Sequence, residues 1–295
     1  MVSQLLVRCT NLRFLEGELG TIAFTPSTQL PTFESLQFLA VSNQSFTGLA
    51  PLMHCLPNLR TLDVLYFEDQ NAPAVSLVGA PKDRGSAPDF PAPTFQLDNL
   101  YLSQCDSLLF AHWKWLLSSS TSIKYAQLQE IRDGSAALAE VIGPSVQSLH
   151  LKGNLDAPQV GDEEIVQALP AFTNLKSLRI SGRDWPWDVL YANIQSSLES
   201  FTISYSAPGA DKLVLMLNDR EWQNGITSVT VHHWADVDIF YGVRAEDVKN
   251  ARKKLEDGCA RRSIPLTWIT EGQTDPTATN DVAHAHAITE ADLIP

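Results

Sequence analysis

The chain has few of the cysteines that stabilise small secreted domains. It carries four in 295 residues, with no CxxC motif and no paired spacing: Cys9, Cys55, Cys105 and Cys259. A secreted repeat protein usually has a disulfide framework, so this spacing favours reduced thiols in the cytoplasm or nucleus. The apolar run at residues 5–7 is too short for a signal-peptide core, and no stretch reaches the length of a membrane span. We expect an intracellular protein that makes no use of a membrane.

Basic residues are also scarce. The 21 Lys and Arg residues are outnumbered by 34 Asp and Glu residues, which gives a net charge of -13. An acidic surface repels phosphate backbones, so we expect no nucleic-acid partner. A basic protein partner fits this charge better, although the need for solubility would explain the sign equally well.

Motifs that carry chemistry are missing as well. The sequence contains no GxSxG, no GxxxxGK[ST] and no GxGxxG, so it lacks the loops that present a nucleophile or cradle a phosphate. His284 and His286 supply two candidate ligands and could bind a metal ion only weakly. We therefore predict no catalytic residues, no cofactor and no metal ion, and a hydrolase is only a remote alternative.

The chain does contain an apolar pattern that recurs along most of its length. Each copy has an apolar anchor, two variable residues, a second anchor, one variable residue and a third anchor. The nine copies are Leu12-Leu15, Leu36-Leu39-Val41, Leu59-Leu62-Val64, Leu97-Leu100-Leu102, Ile123-Ala126-Leu128, Val146-Leu149-Leu151, Leu175-Leu178-Ile180, Leu198-Phe201-Ile203 and Ile226-Val229-Val231. First anchors are 23–29 residues apart except for one interval of 38 residues. Such a period indicates a repeat architecture, with one short strand and one returning helix in each unit.

Two of these copies carry a recognisable turn residue. The segment 97–105, LDNLYLSQC, resembles the cysteine-containing class of leucine-rich repeat, and the segment 146–154, VQSLHLKGN, is similar to the general consensus. Repeat lengths of 23–29 residues with helical outer segments resemble the ribonuclease-inhibitor-like class. This resemblance implies an α/β horseshoe solenoid with short parallel strands on its concave face and helices on its convex face.

The style of the repeats resembles one group in particular. "LPNLRTLDV" at 56–64 and "FTNLKSLRISG" at 172–182 are similar to the repeat region of fungal F-box/leucine-rich-repeat proteins. In that family a helical F-box precedes the repeats, whereas here 11 residues precede the first anchor, Leu12. Either an upstream F-box is missing from this sequence, or the protein is a repeat protein without one. In the first case the family implies a Skp-type adaptor and a cullin as partners, and substrate recognition for a ubiquitin ligase.

Composition divides the chain into a repeat region and a tail. We assign residues 1–270 to the solenoid, with a proline-rich loop at 68–95 that holds five of the 17 prolines. Residues 245–262 show helical apolar spacing and predict a capping helix that leads into a closing strand at 264–269. Residues 271–295 have five acids, no Lys or Arg and few large apolar side chains, which favours a disordered tail.

The variable positions between the anchors should project from the concave face, because side chains alternate along a strand. Aromatic and charged residues at these positions have the composition of a protein-binding surface. Our candidates are Phe14, Phe38, Arg60, Asp63, Tyr101, Tyr125, His150 and Arg179. The competing interpretation is that the aromatic side chains pack against one another, or that the register is shifted by one residue.

Two further segments, at 185–187 and 232–234, each follow a predicted strand. Trp185-Pro186-Trp187 follows a strand and forms either an exposed apolar rim or a helix start packed on the next repeat. The segment 232–234, HHW, is most simply a turn. Taken with the repeats, these observations predict a non-catalytic protein-recognition module, and the alternative is a structural or self-assembling scaffold unrelated to ubiquitination.

Overall fold

A computed structural model gives the fold for most of the repeat region. It describes residues 11–18, 30–68, 91–106, 110–131, 134–153, 160–182, 185–194, 197–219, 222, 225–234 and 243–271. The predicted proline-rich loop lies largely outside the described residues, and the predicted tail lies outside them beyond residue 271.

One parallel sheet organises the molecule. Its ten strands are β1 (Phe14–Glu18), β2 (Phe38–Ser45), β3 (Thr61–Glu68), β4 (Asn99–Asp106), β5 (Tyr125–Gln129), β6 (Ser148–Lys152), β7 (Ser177–Ser181), β8 (Ser200–Ser204), β9 (Ser228–Trp234) and β10 (Leu266–Glu271). Their order in the sheet is their order in the chain, and all neighbours pair in parallel. The predicted α/β class with short parallel strands is confirmed, and the sheet is not closed into a barrel.

The apolar anchors explain both the strands and their register. Strands β5, β7 and β8 alternate buried and partly exposed side chains. Second anchors pair with second anchors on neighbouring strands, for example Leu100 with Ala126 and Leu149 with Leu178. Because a slip of one residue would turn every anchor toward solvent, burial of this row fixes the register.

Helices return the chain between successive strands. The described helices are α1 (Phe46–Met53), α2 (Phe110–Leu116), α3 (Ser135–Ile142), α4 (Val160–Gln167), α5 (Trp187–Asn193), α6 (Ala207–Asn218) and α7 (Ala245–Arg261), with a 3-10 turn at Leu169–Ala171. Each helix from α2 to α6 contacts the next one along the chain, so these helices lie on one side of the sheet. The core is the layer between them and the anchors. Within the described residues, none of the helices is both long and apolar enough to cross a membrane.

The C-terminal helix matches the sequence pattern closely. It was expected over residues 245–262 and is present as α7, which packs against α6. Ala251, Leu255 and Cys259 form its buried stripe. Two acids open the helix and an arginine closes it, as the helix dipole favours.

The predicted turn at residues 232–234 is wrong. These residues extend β9 to Trp234, because β10 pairs with them through Ile269, Thr270 and Glu271. The backbone hydrogen bonds of a neighbouring strand outweigh the local composition, which by itself contains no strand signal beyond Val231.

Candidate protein-binding surface

The side of the sheet opposite the helices is the candidate site, and we call it the open face. On each five-residue strand the first, third and fifth side chains point to it, since the second and fourth are the buried anchors. Parallel pairing aligns these positions into three rows that cross the sheet. Tyr101, Gln127 and Arg179, for example, lie in the same row and are half-buried.

Aromatic pairs characterise the first half of the open face. The rings of Phe14 and Phe38 stack with centroids 4.3 Å apart and planes at 9°, and Phe14 is 51% exposed. The rings of Tyr101 and Tyr125 lie 5.3 Å apart on adjacent strands, and both side chains are half-buried. The aromatic residues of each pair therefore pack against one another and are still partly exposed on the open face.

The charged candidates of this half are placed at the same surface. Asp63 lies in the central row beside Tyr101, and it is half-buried. Arg60 lies just before β3, with a nitrogen 3.7 Å from a carboxylate oxygen of Asp98. Because both partners of this ion pair are well exposed, the pair contributes little to stability.

The second half of the open face has a different chemistry, and we call it the basic half. Strands β6 to β9 contribute three aligned positions each, and none of these twelve positions holds an acid or a large apolar residue. The next position of this face on β9 is the exposed aromatic Trp234. The basic half consists of Ser148, His150, Lys152, Ser177, Arg179, Ser181, Ser200, Thr202, Ser204, Ser228, Thr230 and His232. The first row is serine on all four strands, a pattern that is visible in the sequence at the second position after each first anchor.

His150 is the one candidate that is nearly buried, with 8% of its surface exposed. Its Nδ1 lies 3.1 Å from Gln127 Oε1, and its Nε2 lies 2.7 Å from Ser181 Oγ. An amide oxygen can only accept, so Nδ1 carries the proton and the Ser181 hydroxyl donates to Nε2. Burial, which is the largest cause, and the positive charges of Arg179 and Lys152 together lower the pKa of His150 from 6.5 to about 3.

The chain of Ser181, His150 and Gln127 has the connectivity of a nucleophile, a base and an orienting group. Its electrostatics disfavour that use. A histidine with a pKa of about 3 is a poor general base, because an efficient base has a pKa near the working pH. Gln127 is neutral and would not stabilise an imidazolium as a carboxylate does. The network instead holds three adjacent strands in register at the open face.

The lowered pKa of His150 predicts acid sensitivity. In the unfolded chain the imidazole takes up a proton below its usual pKa of 6.5, whereas the folded protein resists protonation down to about 3. Stability from this residue is therefore complete above pH 6.5 and is lost as the pH falls. We expect the free energy of unfolding to drop by about 2 kcal/mol between about pH 7.5 and pH 5.

Urea unfolding at both pH values measures this drop. In His150→Gln the drop should shrink by about 2 kcal/mol, while His54→Gln, which removes an exposed imidazole, should behave as the wild type. Equal pH dependence in the two variants would contradict the assignment.

The tryptophan segment is packed, and the exposed-rim interpretation is wrong. Trp185 and Trp187 are 5% and 7% exposed. Trp185 Nε1 donates to the Ser181 carbonyl at 3.0 Å, and its ring covers Gly153, where a Cβ would come within 3.0 Å of Nε1. Trp187 lies against Gly209 in the next repeat. The two rings therefore pack neighbouring repeats against one another.

The described residues also bear on two other kinds of site, a metal site and a reactive cysteine. Among the described residues no group of three or more His, Cys, Asp or Glu side chains converges as a metal site would require. Cys55, Cys105 and Cys259 are thiols, and burial raises the pKa of Cys259 to about 11. A thiol with so high a pKa is a weak nucleophile at neutral pH. No protein-family model matches the chain, and no curated protein matches it.

Proposed function

We propose that the chain is a leucine-rich-repeat protein of the ribonuclease-inhibitor-like class, and that it recognises another protein without catalysing a reaction. One observation carries this proposal: the open face presents two aromatic pairs, Phe14 with Phe38 and Tyr101 with Tyr125, and none of the described helices lies on that face. Aromatic side chains offer large contact areas at low entropic cost and are enriched among binding hot spots. A surface of this kind is suited to binding a protein.

The proposed horseshoe follows from the spacing of the two layers. Parallel strands lie about 4.8 Å apart, whereas packed helices need about 8–10 Å between their axes. A stack with strands on one side and helices on the other therefore curves with the strands inside. The open face would then be concave and would surround a ligand over several repeats.

We further propose that the ligand is a substrate of an F-box-type ubiquitin ligase. The support is the repeat style of segments 56–64 and 172–182. In this arrangement the chain reads the substrate in the cytoplasm or nucleus. A Skp-type adaptor and a cullin would bind through an F-box encoded upstream.

The test compares partners of the wild type with those of Tyr101→Ala/Tyr125→Ala, each tagged at the C-terminus of the native locus. Each hot-spot truncation costs about 1–3 kcal/mol, so we expect at least a tenfold loss of specific partners in quantitative mass spectrometry. Leu215→Ala is the matched control, because Leu215 is a 60%-exposed apolar residue on α6, away from the open face. Recovery of an adaptor and a cullin would identify the ligase.

Two results would count against the proposal. Partners retained in full by the double variant would exclude Tyr101 and Tyr125 from the binding surface. Partners lost equally from Leu215→Ala would show that the loss does not depend on the open face.

A self-assembling scaffold is the second candidate, and the end of the sheet favours it. In the described part of the chain β10 pairs only with β9, so its outer edge presents backbone groups to a further strand. Sedimentation at rising protein concentration separates the candidates. A monomer throughout would leave recognition, whereas a growing oligomer would favour the scaffold.

A further inference from the structure

The basic half of the open face has a charge opposite to that of the whole chain. The protein carries a net charge of -13, and the central row of the first half holds Glu16 and Asp63. In contrast, the basic half holds Lys152 and Arg179 and no acid. Net charge favoured a basic partner, whereas this local surface attracts the opposite sign.

Within the described residues, neither cation of the basic half has an acidic partner. In the described ranges, Lys152 and Arg179 form no ion pair, although other surface cations do. Lys176, for example, precedes β7 and has its Nζ 3.4 Å from a carboxylate oxygen of Glu199. His150 stands between the two cations as a neutral ring, and its pKa is lowered partly by both of them. Arg179 and Lys152 therefore place two positive charges close together on the open face.

The residues around the two cations leave space for a chain. Eight of the twelve positions are Ser or Thr, so the surface between the long side chains is low and rich in groups that donate and accept hydrogen bonds. Four strands at about 4.8 Å spacing span roughly 14 Å, the length of four or five extended residues. Arg179 can hold a carboxylate with two parallel hydrogen bonds, and Lys152 adds a second positive point.

We propose that the basic half binds an acidic segment of a protein partner, whose carboxylates contact Arg179 and Lys152 while its backbone lies on the Ser and Thr side chains. This inference rests on the proposed recognition function and names the chemistry of the ligand. The aromatic pairs in the first half of the open face would then supply apolar contact area, and the basic half would select for negative charge.

The test uses the full chain and a fluorescein-labelled ten-residue peptide of alternating glutamate and serine. Fluorescence anisotropy at low salt should show saturable binding that weakens as salt is added. Arg179→Gln/Lys152→Gln should weaken binding at least tenfold. Lys249→Gln/Lys253→Gln removes the same charge from exposed positions on α7 and should change binding less than twofold. Circular dichroism must show both variants folded, and a lysine–serine peptide should not bind the wild type.

Three outcomes would overturn the inference. The first is an absence of saturable binding up to about 1 mM peptide, a free energy of about -4 kcal/mol. The second is an equal loss in the two double variants. The third is binding that appears only after neutralisation of Asp275, Asp281, Glu290 and Asp292, since this chain's own acidic segment would then be the occupant.

The two proposals fail in distinguishable ways. Cellular partners that depend on Tyr101 and Tyr125 while the acidic peptide does not bind would keep the recognition function and remove only the acidic ligand. Loss of both results would remove both proposals.

Discussion

Replacing Phe201 with alanine is expected to lower the free energy of unfolding by about 3–5 kcal/mol. Phe201 is the second anchor of β8 and is fully buried. Its ring meets the edge of Tyr191 from α5 with centroids 5.8 Å apart, so it joins the sheet to the helical layer. The smaller side chain would lose the transfer free energy of the ring and leave a cavity that its close-packed neighbours fill only in part.

Urea denaturation followed by circular dichroism measures this loss. Phe14→Ala is the matched control, because it removes the same side chain from a 51%-exposed position on β1. It forfeits mainly the stacking on Phe38, and we expect a cost below about 1.5 kcal/mol. Similar losses in the two variants would contradict the placement of Phe201 in the core.

Gly143→Ala should destabilise the protein by about 3 kcal/mol, at the upper end of the range for overpacking. Gly143 ends α3, and a Cβ built on it would lie 2.5 Å from the Ala139 carbonyl oxygen and 2.6 Å from that of Ala171. Both neighbours are backbone atoms, which cannot rotate away as a side chain does. The Ala171 oxygen belongs to the following repeat, so the clash would push two repeats apart.

Gly17→Ala provides the comparison for this variant. Gly17 lies in β1, and a Cβ there would meet no atom within 4 Å. Its substitution should be neutral or slightly stabilising, because alanine restricts the unfolded chain more than glycine does. A thermal melt of each variant gives the ranking, and a Gly143→Ala protein as stable as Gly17→Ala would refute the close approach.

The strands were predictable because their apolar anchors repeat at a fixed spacing and must be buried. The first and last residues of the helices were harder to predict from the sequence. The apolar run of this segment covers only residues 213–217, whereas α6 begins at Ala207. The start depends on the Ser206 side chain, which accepts a hydrogen bond from the Gly209 amide at 3.2 Å. That capping signal is written in the sequence but lies outside the apolar pattern.

The open face was predictable in outline and not in its contacts. Alternation along the strands places Tyr101 and Tyr125 on it, and the structure finds them there. The burial of His150 depends instead on Gln127 and Ser181, which are 23 and 31 residues away in the chain and adjacent only through strand pairing. The contrast between the two halves likewise emerges only when neighbouring strands are aligned.

Strand order has a mechanical consequence. Among the described strands, each one pairs with those before and after it in the chain, and no described pair joins β1 to β10. A force that pulls these two edges apart along the sheet therefore meets the strand interfaces in series, and the weakest interface sets the strength of the whole. Trp185 packs on Gly153 and Trp187 packs on Gly209, each in a neighbouring repeat. These contacts strengthen the interfaces in the middle of that series.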